Sequence, residues 1–178
     1  MSQSQTSRAG EKVDVISHVE RIHASDATCL FVRLGNEWYA LPADRVEQIT
    51  SKGTITRVPR APSHLLGIAI LRGKLLTVVS LEVLLGIPSS LPHSLPSTLP
   101  RLVVVKWNGD ELAIVSDEIY GLDEYVSTMP GNSPAGSKLV RERFDWRGGQ
   151  VSLLDIQGLF TMARELAGAP TAEIRVDA

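Results

Sequence analysis

Arg72 is the residue whose type and position are best suited to recognition chemistry. It lies between two apolar runs, Leu66–Leu71 and Leu75–Val79, which predict the strands of a β-hairpin, and Gly73 beside it favours a turn. An arginine at such a tip presents several donors in a rigid plane to a carboxylate or to backbone carbonyl groups. The residue is equally suited to an internal role, in which it fastens the hairpin to its own fold.

A second candidate contact is the segment Val46-Glu47-Gln48-Ile49, which we expect to lie beside the Arg72 hairpin. If Val46 and Ile49 are exposed, they suit the groove of a partner. If they are buried, they belong to the core of the protein. Of these two interpretations, the core is preferred.

Residues that would support catalysis or metal binding are not arranged for it. His18 and His23 are five residues apart, which is not the i,i+4 spacing that places two ligands on one helix face. The sequence has neither a glycine-rich phosphate loop nor a G-x-S-x-G motif. Adjacent carboxylates such as Asp110 and Glu111 point to opposite faces of a strand. We therefore expect a protein that is not an enzyme and has no metal and no cofactor.

The composition bounds the class of protein further. The 178 residues include 18 basic and 20 acidic side chains, a net charge of −2, which is no footprint for nucleic acid. The expected strands also show no aromatic stacking platform for bases.

The single cysteine, Cys29, excludes an internal disulfide and is expected to be buried and inert. The start of the chain lacks the apolar segment of a secretory signal, and the apolar runs are shorter than the roughly 20 residues that span a bilayer. We expect a cytoplasmic protein without direct membrane insertion.

The chain contains an internal duplication. Leu30–Val46 aligns without a gap over Val103–Ile119, an offset of 73 residues, and Leu71–Leu85 aligns over Trp146–Phe160, an offset of 75 residues. In the second pair Arg72-Gly73 falls on Arg147-Gly148. Because the offsets nearly agree, one duplicated unit explains both matches. Duplicated small β units indicate paired surfaces for partners more often than a single catalytic centre.

Short strands separated by turn residues fill both units. Asn108-Gly109 is the strongest hairpin signal, Ser80 and Gly86 suit the two ends of a short helix, and Asp155 suits the start of a closing helix. We expect five strands in each unit and therefore an all-β fold with short helices, in which each unit forms a small barrel without free edges. The predicted divisions are a tail with a short amphipathic helix (1–26), a first subdomain (27–87), a proline-rich crossover (88–100), a second subdomain (101–160), and the end of the closing helix with a tail (161–178).

Three stretches of the sequence resemble the CheW-like domain of bacterial chemosensory systems. They read FVRLGNEWYALPADRVEQI, VPRAPSHLLGIAILRGKLLTVVSLEVLLG and VVVKWNGDELAIVSDEI. The most specific element is the pattern G-x-x-x-L-R-G-x-x-x-x-V, found here from Gly67 to Val78. The likeness runs from about Cys29 to Phe160, which is nearly the whole globular part.

This resemblance implies a fold of two five-stranded SH3-like barrels and a non-enzymatic function. Members of the family are adaptors that couple methyl-accepting chemoreceptors to the histidine kinase CheA, whose regulatory domain has the same fold. They act in the cytoplasm, at the inner face of the membrane, in arrays under the receptor tips. Carried over by position, the partner-binding residues here are Arg72, Val46, Gln48, Leu71 and Gly73.

The sequence departs from the family pattern at positions that bear on partner choice. Gln48 stands where the family has a glutamate to pair with Arg72, and Ile70 stands where it has an asparagine. The family's P-V-V-D-L-R reads T-V-V-S-L-E over residues 77–82. We therefore expect a divergent coupling protein, serving a chemotaxis, motility or pilus pathway. The alternative is a receptor-binding module that does not recruit kinase and tunes an array by competition.

Overall fold

A computed structural model describes residues 28–50, 54–87, 101–125 and 138–166. The predicted N-terminal helix, the proline-rich crossover and three of the four histidines lie outside these residues. Two α-helices are described, α1 (Leu81–Leu85) and α2 (Ile156–Leu166), together with a 3-10 turn at Ala43–Arg45. The described strands are β1 (Thr28–Leu34), β2 (Glu37–Pro42), β3 (Val46–Thr50), β4 (Ile55–Thr56), β5 (Leu65–Leu71), β6 (Lys74–Val79), β7 (Arg101–Trp107), β8 (Asp110–Ser116), β9 (Glu118–Glu124), β10 (Val140–Trp146) and β11 (Gly149–Leu154).

Two-residue turns close the hairpins that matter for the candidate surfaces. Asn108 and Gly109, between β7 and β8, have φ values of 50° and 87°, as the mirror-image turns of tight hairpins require. Arg72-Gly73 joins β5 to β6 and Arg147-Gly148 joins β10 to β11, with φ values of 52° and 51° at the two arginines. Both arginines are therefore held at the first position of a tight turn in the left-handed region.

The strands form two sheets, each with strands from both halves of the chain. The first sheet has the order β10-β11-β2-β1-β9 and the second has the order β3-β7-β8-β6-β5-β4. The hairpin β1–β2 of the first half thus lies among strands of the second half, while β7–β8 lies among strands of the first. The two halves exchange equivalent hairpins.

The internal duplication extends to the pairing of the strands. With the offsets of the repeat, β10-β11-β2-β1-β9 corresponds strand by strand to β5-β6-β8-β7-β3. Each sheet has one parallel pair, β11 with β2 and β6 with β8, and these two pairs are in equivalent register. The irregularities in register also recur, at Phe31/Val32 in one sheet and at Val46/Gln48 in the other.

The prediction of an all-β fold with short helices is confirmed. The expected total of ten strands is wrong, because the described residues contain eleven. The additional strand is β3, where Glu47 and Gln48 interrupt the apolar alternation that identifies a strand. Closure of each sheet into a five-stranded SH3-like barrel stays a prediction, as does the division into subdomains at 27–87 and 101–160.

Three hydrophobic clusters explain why the exchanged hairpins are apolar on both faces. One cluster belongs to the first sheet and includes Phe31 and Phe144. Another belongs to the second sheet and includes Leu71 and Leu102. The largest contains residues of both sheets and both helices. Alternate residues of β1, β2, β7 and β8 enter different clusters, so these strands read as continuous apolar runs.

The predicted helix boundaries are confirmed by their hydrogen bonds. Ser80 precedes α1, and its hydroxyl accepts a hydrogen bond from the Val83 amide at 3.3 Å. Gly86 follows α1 with a φ of 70°, the left-handed conformation that ends many helices. Asp155 precedes α2 and accepts from the Gly158 amide at 3.1 Å. Within the described part of the chain, neither helix has the length and apolar character to cross a membrane.

Candidate partner-binding surfaces

The tip of the β5–β6 hairpin presents an arginine beside an exposed aliphatic pair. Ile70 and Leu75 oppose each other across the hairpin and are 69% and 66% exposed. Arg72 and Gly73 form the exposed turn between them. Among the described residues, none forms an ion pair or hydrogen bond with the Arg72 side chain. We call Ile70, Arg72, Gly73 and Leu75 the Arg72 surface.

The five predicted partner-binding residues occupy different environments. Val46 is 4% exposed and lies in the cluster between the sheets, and Leu71 is 8% exposed and lies in the cluster of the second sheet. Gln48 is partly buried on β3, whereas Arg72 and Gly73 are exposed. Val46 and Leu71 are therefore placed to support a surface from beneath. Partner binding by these residues stays a prediction.

Gln48 and Arg72 are not joined in the structure. β7 and β8 separate β3 from β6 in the order of the sheet. No hydrogen bond connects the two side chains in the portion of the chain that the structure describes. Gln48 therefore does not pair with Arg72 in this structure, and the Arg72 side chain is exposed.

A row of alternating charges crosses the same sheet. Lys74 donates to Glu111 at 2.7 Å, and Lys106, which opposes Glu111 across β7 and β8, donates to Glu47 at 2.8 Å. The hydrogen bond and the charge of Glu111 raise the pKa of Lys74. Such exposed pairs contribute little to folding stability, but charges at the border of an interface influence the choice of partner.

The equivalent part of the first sheet carries aromatic rings instead. Trp38, Tyr120 and Trp146 line a shallow cleft of about 270 Å³ together with Arg147, Gly149 and Val151. The Tyr120 ring packs edge to face against Trp38 and Trp146, with centroid distances of 6.5 and 4.9 Å. The guanidinium of Arg147 lies 4.5 Å from the Tyr120 ring centroid and 5.2 Å from that of Trp146. We call these six residues the Arg147 cleft.

Asp123 fixes the arginine and the indole of this cleft. Its carboxylate accepts hydrogen bonds from Trp146 Nε1 at 3.0 Å and from Arg147 Nη2 at 3.4 Å. Burial acts to raise the pKa of Asp123, but these donors, the Glu124 amide and the charge of Arg147 outweigh it and lower the pKa. Asp123 therefore remains ionised and holds Arg147 over the rings.

The Arg147 cleft corrects one expectation from the sequence. The strands were expected to provide no aromatic platform, yet three rings from β2, β9 and β10 come together and Tyr120 is 40% exposed. These strands come from both halves of the chain, so no local pattern reveals their proximity. The net charge of −2 continues to argue against nucleic acid as the partner.

Repeat-equivalent positions have diverged between the two surfaces. The offsets of the duplication place Trp38 on Glu111, Tyr120 on Glu47, Trp146 on Leu71, Arg147 on Arg72 and Gly149 on Lys74. The second sheet therefore carries a row of charges and an arginine with no ionic partner among the described side chains, and the first carries packed aromatic rings with a paired arginine. Two surfaces of common origin thus offer different chemistry to partners.

Cys29 and His64 are both buried in the interior of the protein. The thiol of Cys29 is buried, and burial, together with the charges of Asp44 and Glu142, raises its pKa to about 12. His64 is buried with its Nε2 atom 3.3 Å from the Ala163 carbonyl oxygen. Three or more potential metal ligands do not cluster anywhere in the described ranges.

Comparison with known proteins identifies the family. The sequence matches the family model of the CheW-like domain over residues 28–164. The chain therefore belongs to the CheW-like domain family, whose members are scaffolding and coupling adaptors of chemotaxis.

The fold is similar to that of a solved CheW protein. The crystal structure of the scaffolding protein TtCheW from Thermoanaerobacter tengcongensis matches with a TM-score of 0.64 and 19% sequence identity, covering 74% of this chain and 90% of that chain. At this identity the similarity shows the fold alone. A search of curated proteins found no match.

Proposed function

We propose that this protein is a cytoplasmic adaptor that couples methyl-accepting chemoreceptors to a CheA-type histidine kinase in an array at the inner face of the membrane. Membership of the CheW-like domain family carries this proposal. The two diverged surfaces support it, because an adaptor that joins two different partners requires two chemically different contacts.

The Arg72 surface is the proposed contact with the receptor. Its guanidinium is exposed and has no ionic partner among the described side chains, so it is able to pair with a receptor carboxylate without first breaking an internal contact. Gln48 lies on the same sheet, and the buried side chains of Val46 and Leu71 support the strands beneath.

The Arg147 cleft is the proposed contact with the kinase regulatory domain. Tyrosine, tryptophan and arginine are the residue types that dominate interface energetics. Their rings are already packed against one another here, so binding costs little ordering of side chains.

Titration of the purified protein against two fragments tests this assignment. One fragment is the cytoplasmic tip of a methyl-accepting receptor and the other is the regulatory domain of a CheA-type kinase, both from the same organism. We expect both to bind, Arg72→Ala to weaken receptor binding by about tenfold, and Tyr120→Ser to weaken kinase binding by a similar factor. Each variant serves as the matched control for the other partner. Failure of the wild-type protein to bind either fragment would refute the proposal.

Binding of the receptor without the kinase would favour the competitor function instead. The departure from the family pattern at residues 77–82 motivated that alternative. In the structure Thr77 is exposed, but residues 78–82 are buried. Most of the altered stretch therefore does not face a partner, and coupling remains the preferred function.

A further inference from the structure

We propose that Ile70 and Leu75 determine the affinity and the partner preference of the Arg72 surface, by receiving the apolar stripe of a helix that carries a carboxylate for Arg72. This inference rests on the proposed function, because it specifies the chemistry of the receptor segment that the surface accepts. The sequence resemblance attributes no role to Leu75, and it places a polar residue at position 70.

Ile70 and Leu75 form an adjacent pair of aliphatic side chains that are both largely exposed to solvent. Ile70 and Leu75 are directly opposed in the β5–β6 register, so their Cβ atoms are separated by about 5 Å. Each is about two thirds exposed. Ile68 and Thr77 form the next pair on the same face of the hairpin, which continues the surface away from the turn.

The second half of the chain provides an internal control for this pair. At the equivalent positions of the β10–β11 hairpin, Asp145 opposes Gln150. That hairpin forms the same two-residue turn, with an arginine at the same positive φ. The turn and the register therefore do not require aliphatic side chains at these positions. Exposure of Ile70 and Leu75 to water has no benefit for folding, so we assign the pair to binding.

The charge of the surface indicates the chemistry of the partner. Arg147 is neutralised by Asp123 at 3.4 Å and stacks on Tyr120. The repeat equivalents of these two partners are Thr50 and Glu47, and Glu47 pairs with Lys106. No acidic side chain of the described sheet pairs with Arg72, so a partner that supplies a carboxylate is complementary to it.

A helix fits the dimensions of the patch better than a strand or a second copy does. Side chains at i and i+4 of a helix are about 5–6 Å apart, close to the separation of the aliphatic pair. An added strand would pair through backbone groups at an edge of the sheet, whereas Ile70 and Leu75 lie on a face of the β5–β6 hairpin. Two copies meeting through this patch would bring two Arg72 side chains together.

The decisive variant gives the β5–β6 hairpin the side chains found at the equivalent positions of the β10–β11 hairpin. Ile70→Asp with Leu75→Gln installs the residues that the second hairpin already tolerates, so folding is preserved. The probe is the purified receptor tip fragment, and Leu122→Gln is the matched control because it removes a similarly exposed aliphatic side chain from the other sheet. We expect the double variant to weaken binding of the fragment by about 10- to 100-fold and the control to leave it within about twofold. Arg72→Gln should reduce the salt dependence of binding.

The outcomes separate this inference from the proposed function. If the wild-type protein binds the receptor fragment and the double variant binds equally well, the inference is refuted while the adaptor function stands. If the wild-type protein does not bind the fragment, the adaptor function fails and this inference fails with it. Loss of self-association in the double variant, without loss of receptor binding, would assign the patch to a second copy and also refute the inference.

Discussion

Arg72 and Arg147 illustrate how equivalent backbone positions acquire different environments after duplication. Both arginines begin two-residue turns with φ values near 50°. Arg147 lies over two aromatic rings and contacts Asp123, whereas Arg72 projects from the surface beside aliphatic side chains. The backbone therefore sets the position from which the arginine side chain extends. The residues on the neighbouring strands determine whether its charge is paired within the protein.

Asp123→Asn tests the internal pairing of Arg147. Because the folded-state pKa of Asp123 is lowered, its charge contributes stability that is fully present above the unfolded pKa and lost as the pH falls through the folded pKa. We expect the substitution to lower the free energy of unfolding by about 1 kcal/mol at pH 7, since the carboxylate is partly exposed and its contacts are screened. The difference from wild type should shrink as the pH is lowered from about 4 towards 2. Urea denaturation at a series of pH values measures it.

Asp145→Asn is the control for this prediction. Asp145 lies on the same hairpin but is exposed and makes no ion pair with any described residue. Its substitution should change stability little at pH 7. A loss in Asp123→Asn that is the same at every pH would show that the ionised carboxylate is not what stabilises the cleft.

At the residue scale, the local sequence predicted the turn at Arg72 but not which side chains surround Arg72 and Arg147. A turn flanked by apolar strands is a local pattern, so the exposed Arg72-Gly73 tip could be predicted. The Arg147 cleft could not, because its rings belong to β2, β9 and β10 and meet only through the exchange of hairpins. Exposure of Ile70 and Leu75 was equally inaccessible, since an apolar residue in a strand is normally assigned to the core.

At the scale of single elements, the ends of helices and hairpins were the most predictable features. Ser80, Gly86 and Asp155 act through hydrogen bonds to residues within a few positions along the chain, so their residue types are sufficient. Strand β3 was missed because its apolar pattern is interrupted at Glu47 and Gln48. Its pairing with β7 is set by distant sequence.

Gly158→Ala provides a test of how tightly α2 is packed. An alanine inside a helix normally stabilises it by about 1 kcal/mol relative to glycine. Here the new Cβ atom would overlap the Lys138 carbonyl oxygen, so the backbone would have to move to admit it. We therefore expect the reverse sign, a loss of about 2 kcal/mol in the free energy of unfolding, measured by chemical denaturation.

Gly149→Ala is the matched control for the packing of α2. The nearest atom to its new Cβ would be the Trp146 carbonyl oxygen at 3.7 Å, an ordinary contact. Stability should stay within about 0.5 kcal/mol of wild type. Equal stability of Gly158→Ala and wild type would mean that α2 does not approach the chain at Lys138 as closely as described.

At the scale of the whole molecule, two short connections explain why the halves exchange hairpins. β2 and β3 are joined by the three residues Ala43–Arg45, and β8 and β9 by Asp117 alone. In the second sheet β3 and β8 are both antiparallel to β7 and so run parallel to each other, and β9 and β2 do the same through β1. A half that used its own hairpin would need a parallel crossover of a dozen or more residues at these points. The connections are far too short, so the hairpins must be exchanged.

The repeat in the sequence could not reveal this exchange. Equal offsets identify which segments are equivalent, but equivalent segments from either half satisfy the same pairing rules. The decision depends on strand order, which periodicity does not contain. The sequence therefore predicted the repeated unit and its strands, while the path of the chain between the sheets became evident only from the structure.

Splitting the chain within the proline-rich crossover, between Ser94 and Leu95, tests whether the halves depend on each other. Alone, the first fragment has β1 and β2 without β9 and β11, and each fragment lacks part of the cluster shared by both sheets. We expect neither fragment to unfold cooperatively, and the co-expressed fragments to form a one-to-one complex with the near-ultraviolet circular dichroism of the intact chain. The intact protein should unfold in a single transition. A cooperative transition in an isolated fragment would instead support independent subdomains at 27–87 or 101–160, and it would show that a half can complete a sheet despite its short connection.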